Sequence, residues 1–218
     1  EKGFEIEMNA QKKRAKAASL RLDLTINGSI EREIDLFQKT NFRGYESTVS
    51  QALVRGIFIN SQSVTTAKSG QNVQIVLDQT SFYGESGGQL GDSGLICSDV
   101  ANVVIENVIR KKDVFLHCGK VIKGVIEIND SVTTKVDKVR RSKAEANHTA
   151  THLLQSALKI VIDNTVGQRG SLVAFNKLRF DFNAASPLSS QQIREVETLV
   201  NNWIMEDHSI EVKNMPKD

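Results

Sequence analysis

NHTATHLLQSAL (147–158) places His148 and His152 four residues apart, one helical turn, so that both imidazoles leave the same helix face. At about 100° per residue, Ala150, Leu154, Ala157, Leu158 and Val161 gather on one side. The two histidines fall roughly opposite, beside Glu145, Gln155 and Lys159. The pattern predicts an amphipathic helix that starts near Arg140, and it leaves two readings of the histidines open: metal ligands or a solvated polar face. Two ligands alone are too few for zinc, which takes three or four from protein. The H-E-x-x-H protease chemistry is excluded, because Thr149 stands where that motif needs its glutamate.

Beyond the helix, Gln168, Arg169, Gly170 and Ser171 are expected as a loop that brings an amide and a hydroxyl towards the imidazoles. Leu178, Phe180 and Phe182 alternate with Arg179 and Asp181, the period of a strand. Ser189 then precedes a helical stripe of Ile193, Val196, Val200 and Trp203, the place of an N-cap. Upstream the texture differs. From Leu22 to Val136, short runs rich in Val, Ile and Phe (residues 56–60, 73–77, 103–108, 114–116 and 125–128) are cut by Gly, Asn and Asp. They recur roughly every eight to twelve residues, the signature of a sandwich or small barrel. The predicted class is α+β: a connector helix over 1–21, a β-barrel-like part over 22–139 and an α+β part over 140–218, with the cleft between the last two as the site.

Within the β part lies FYGESGGQLGDSG (82–94), with five glycines in thirteen residues. Such density permits tight turns and close backbone approach to a ligand. It lacks the G-K-[ST] of a phosphate loop and the dinucleotide fingerprint, so nucleotide phosphate is not indicated.

Hydrophobic content of 39%, charge of 25% and a net charge of +2 are ordinary for a globular chain and give little general attraction to nucleic acid. Basic residues are nevertheless clustered at Lys12–Lys16, Arg110–Lys112 and Lys138–Lys143, as solvated surface or as a nucleic-acid contact. Cys97 and Cys118 have no C-x-x-C spacing, which makes a reducing compartment the expectation: the cytoplasm, with an organellar form left open. No apolar run approaches the ~20 residues of a membrane span, so no membrane association is expected.

The five motifs MNAQKKRAKAA (8–18), FYGESGGQLGDSG, NHTATHLLQSAL, VGQRGSLV (166–173) and LRFDF (178–182), in this order, resemble the editing regions of alanyl-tRNA synthetases over nearly the whole chain. The resemblance implies an α/β two-layer editing core of the kind shared with threonyl-tRNA synthetases. It implies hydrolysis of serine or glycine wrongly esterified to tRNA(Ala), with the tRNA acceptor end and other domains of the same polypeptide as partners. By the same resemblance, Thr151, Gln168 and Ser171 form the editing pocket, Gly87, Gly88, Gln89, Arg169 and Gly170 contact substrate, and His148 and His152 bind zinc. The family completes that zinc site with a C-x-x-x-H motif that does not occur up to Asp218, leaving two of its ligands here. ATP and magnesium would serve only the aminoacylating half of such an enzyme. A free-standing trans-editing hydrolase and a non-catalytic tRNA-binding module are the alternatives.

Overall fold

Alternation of apolar residues along the first half makes strands, and their number and length close the sheet on itself. The structure, a computed structural model, describes residues 33–209 together with Gly3 and Ile30. The expected connector helix over 1–21 and the basic cluster Lys12–Lys16 lie outside the described residues, Gly3 apart. The elements are β1 (Asn41–Phe42), β2 (Val49–Ile59), β3 (Gln62–Val64), β4 (Thr66–Lys68), β5 (Asn72–Leu77), β6 (Gln79–Thr80), β7 (Gly94–Cys97), β8 (Asn102–Lys111), β9 (Val114–Lys123), β10 (Val125–Glu127) and β11 (Ser131–Val136). Then follow α1 (Lys138–Val161), β12 (Gln168–Val173), β13 (Leu178–Phe182) and α2 (Ser190–Glu206).

The main sheet runs β11-β7-β8-β9-β5-β2-β3, and β11 pairs back onto β2. That pairing closes an antiparallel barrel with no free edge among its ring strands. Expected runs 103–108 and 114–116 prove to be parts of ten-residue strands, the second being the start of its strand. β9 is buried on both faces. Phe115, His117 and Val121 point inward beside Ile75, Phe82 and Ile105. Leu116 and Cys118 point outward, where Phe58, Ile30 and Ile34 cover them. Ile30 and Ile34 are helical, a departure from the all-strand reading of residues 22–136. Truncating an interior residue such as Ile105 costs about 2–5 kcal/mol.

Helix α1 starts where Asp137 caps it, its side chain accepting from the amides of Val139 and Arg140. Ala157 and Leu158 bury a third core against Val166 and Val196, with Leu154, Val161, Phe180, Phe182 and Trp203 around them. Ser189 caps α2 in a reciprocal capping box with Gln192. The expected stripe of α2 holds except at its first member, for Ile193 is exposed. The expected loop at 168–171 is strand β12, paired antiparallel with β13. Phe180 and Phe182 on β13 face the helices, and that buried partner draws residues 168–173 into register. No helix among the described residues is long and apolar enough to cross a membrane.

Candidate functional site

Two seams tie the barrel to the helical part, and a cleft opens between them. The first seam is the glycine-rich segment. Gly87 and Gly88 both have positive φ, +59° and +81°, and Ser86 and Gln89 exchange backbone hydrogen bonds across them at 3.2 and 3.0 Å. This is a two-residue hairpin turn of the kind only glycines make freely. The turn then docks on β12: Val173 N donates to Gly88 O at 2.8 Å, and Leu90 N donates to Val173 O at 3.0 Å. Approach is so close that a Cβ on Gly88 would lie 2.2 Å from Ser171 Oγ.

Docking in this way buries Gln89, which is 5% exposed, and delivers its amide to the helix. Gln89 Oε1 sits 2.7 Å from His148 Nδ1. An amide oxygen can only accept, so Nδ1 carries the proton and Nε2 keeps its lone pair. The His148 and His152 rings stack, centroids 5.2 Å apart and 11° from parallel. Burial, and secondarily the charge of His152, hold the His148 pKa below the usual imidazole value, favouring the neutral ring a metal ligand must be.

The second seam is Arg141. Sequence reading placed it in a solvated or nucleic-acid-facing basic cluster; it is instead 6% exposed. Its guanidinium grips both carboxylate oxygens of Asp92 and donates to the carbonyls of Gly44 (3.1 Å) and Ser81 (2.8 Å). All its strong hydrogen bonds go to the barrel, so this cation is spent inside the protein. Arg140, its neighbour, lies over the ring of Phe175 at 4.6 Å and reaches Ser93. Lys112 pairs with Asp35 at 2.6 Å and Arg110 with Asp113 at 3.3 Å.

Between the seams lies a cleft of about 480 Å³ walled by Tyr45, Tyr83, Gln89, Arg141, Glu145, His148, Thr149, His152 and Leu153. Of the sequence-predicted site residues three line it, and the others lie outside its walls. His148, His152 and Gln89 line it. Gln168 and Ser171 meet on β12, Gln168 Nε2 donating to Ser171 Oγ at 2.9 Å, and Gly88, packed against Ser171, joins them to Gln89. Thr151 lies one residue round the helix, 6% exposed, its hydroxyl donating to Asn147 O at 2.8 Å. Asn147 in turn donates to Ala174 O at 2.7 Å, so this face of α1 is the one turned to the hairpin. Arg169 is exposed and is the extra residue of a β-bulge, since Gln168 pairs with Phe182 but Gly170 with Asp181. Gly170 packs near Asp181, where a Cβ would come 3.1 Å from the carboxylate.

Sequence reasoning missed Tyr45, Tyr83, Asp92 and Arg141. Arg141 and Glu145 were within reach, for 141, 145, 148 and 152 share one helical face. Tyr45 carried no signal, being far from the helix in sequence, whereas Tyr83 and Asp92 lay inside the glycine-rich segment 82–94. As zinc ligands, His148 and His152 are well presented but incomplete: among the described residues no group of three or more His, Cys, Asp and Glu gathers to hold an ion.

The family model of class II (A) tRNA synthetases matches residues 1–140, and the chain belongs to that family. It is 66% identical over 216 residues to the alanine–tRNA ligase of Prochlorococcus marinus strain MIT 9515 and 62% identical to that of strain MIT 9301. It is 46% identical over 213 residues to the alanine–tRNA ligase of Crocosphaera subtropica. In the first two matches 99% of this chain is covered, and it spans about a quarter (24%) of the length of the relative.

Proposed function

We propose that this chain is the editing part of an alanine–tRNA ligase, hydrolysing the ester that joins serine or glycine to tRNA(Ala). The observation that carries the reading is the continuous run of contacts from His148 through Gln89 and Gly88 to Ser171 and Gln168, which enters the cleft at His148 and Gln89. Membership of a tRNA synthetase family supplies the substrate class. The need for such a site is physical: an activating pocket shaped for a methyl group rejects neither the smaller glycine nor the hydroxyl of serine strongly enough, so a second, hydrolytic site must sort the products.

In this proposal the fold is the two-layer editing core shared by alanyl- and threonyl-tRNA synthetases. The acceptor end of the tRNA enters the cleft between barrel and helix. Gln168 and Ser171 supply polar contacts at the hairpin, and Thr151 adds a hydroxyl once released from Asn147 O. The serine hydroxyl meets those groups where the alanine methyl would leave them unpaired, a difference that favours serine. His148, with Nε2 free, and His152 are two ligands for zinc, whose set must be completed from residues outside this pair. ATP and magnesium belong to the ligating half of the enzyme. The length of the relatives favours a site working within a synthetase over a free-standing editing protein.

The test is deacylation of seryl-tRNA against alanyl-tRNA, both on tRNA(Ala), by the full-length protein, with His152→Ala and Gln168→Ala beside it. Fast serine-selective hydrolysis that falls in both variants is expected. Salt-sensitive tRNA binding with no hydrolysis would sink the proposal in favour of a binding module.

A further inference from the structure

Tyr45 is 87% exposed, and its ring has an aromatic neighbour behind it. Its ring meets the edge of Phe42 at 5.0 Å and 84°. Phe42 also contacts Tyr83 edge-on at 6.3 Å and stacks on Phe115 at 5.7 Å. Phe42, packed against the barrel core, thus backs two tyrosines that line the same cleft as His148 and His152. The same guanidinium that anchors the histidine helix anchors both tyrosines' backbones. Arg141 holds the carbonyl of Gly44, the residue before Tyr45, and that of Ser81, two residues before Tyr83. Its partner Asp92 accepts the Tyr83 amide at 2.8 Å. Gly44 cannot be exchanged without disturbing this corner, since a Cβ there would meet the Phe42 ring at 2.3 Å and Ser81 O at 2.6 Å.

A large aromatic side chain left exposed on a cleft wall but backed by a second ring is the form of a stacking platform, because packing from behind lowers the ordering cost of binding. Cleft volume, about 480 Å³, is that of a small-molecule site. We propose that Tyr45, backed by Phe42 and flanked by Tyr83, stacks on the terminal adenine of the acceptor end while the ester lies towards His148. This rests on reading the cleft as an aminoacyl-tRNA site, and it gives the terminal base a contact at Tyr45, outside the five motifs.

The experiment uses the full-length protein and two probes: serine joined through an amide to 3′-amino-3′-deoxyadenosine, and the same compound without its base. Tyr45→Ala is expected to weaken the adenosine probe about fivefold to a hundredfold. Tyr45→Phe, which keeps the ring, retains wild-type affinity, and the base-free probe binds all three proteins alike. In deacylation, Tyr45→Ala raises KM and leaves kcat near wild type. Unchanged binding of the adenosine probe by Tyr45→Ala, equal weakening of both probes, or no binding of the adenosine probe by the wild type overturns the platform. Tyr45-dependent probe binding in a protein that hydrolyses no ester would sink the editing function and leave the platform standing.

Discussion

Gln89 Oε1 lies 2.7 Å from His148 Nδ1, and through that one contact a hairpin turn of the barrel sets the tautomer of an imidazole on the helix. The relationship gives Gln89 a role other than touching substrate: it orients His148 so that Nε2 faces outwards. Partners of this second rank typically matter 10–100-fold for a metal site or its activity. Gln89→Met is therefore expected to lower serine deacylation by about that factor, whereas Gln89→Glu, which keeps an acceptor, is expected to retain much of it. Nitrogen-15 spectra of the His148 ring check the cause directly. Equal populations of the two tautomers in wild type and Gln89→Met would refute it.

Arg141 and Asp92 form a buried pair with the remaining donors spent on two carbonyls. Removing one member leaves the other charge in a dry site, at a cost of about 3–5 kcal/mol. Arg141→Met and Asp92→Asn are each expected to unfold the protein at clearly lower urea. The double variant should recover part of the loss, because it leaves no lone charge. Additive losses in a double-mutant cycle would show that the pair is not coupled.

His117 fixes how the barrel answers acid. It is fully buried, donates from Nδ1 to Ile75 O at 2.9 Å and accepts from Thr80 Oγ1 at 2.8 Å. Burial drives its pKa down to about 4, the bond to Ile75 opposing. The unfolded chain binds a proton near pH 6.5, so between those two values it binds more protons than the folded one. Stability is then full above about pH 6.5 and falls as pH drops towards 4, by about 3 kcal/mol from this group. Urea titrations at pH 7 and pH 4.5, in wild type and His117→Gln, should show a smaller acid loss in the variant. Proton NMR of His117 should show no titration above pH 5.

Gly88 carries both constraints of its turn, a φ of +81° and a gap to Ser171 that admits no Cβ. Gly88→Ala is expected to cost about 1–3 kcal/mol and to shift Gln89 off His148, lowering deacylation more than stability alone explains. Gly70→Ala serves as the control: its φ is +92°, but nothing lies within 4 Å of the added Cβ. It should share the strain and spare the activity.

Local signals placed much of this molecule in advance. The period of two in Leu178–Phe182 and the cap at Ser189 became β13 and the start of α2, because each depends on neighbours within a few residues. The His148–His152 pair fell on one helix face for the same reason. Residues 168–171 went wrong because nothing in Gln-Arg-Gly-Ser has strand character by itself; pairing with β13 and the docked Gly88 makes it a strand. Arg141 went wrong because charge was weighed without its partner, and Asp92 lies 49 residues away.

The sequence by itself determined that a run of strands gives way to helix near Arg140, that two imidazoles share a face, and that a glycine pair makes a tight turn, since dihedral preference and side-chain periodicity act over a few residues. Tertiary structure alone decided that the barrel closes through β11 and β2, that Gln89 reaches His148, and that Tyr45 lines one cleft with the histidines. Those are meetings of residues distant along the chain, chosen by which surfaces bury together and which buried charges find partners.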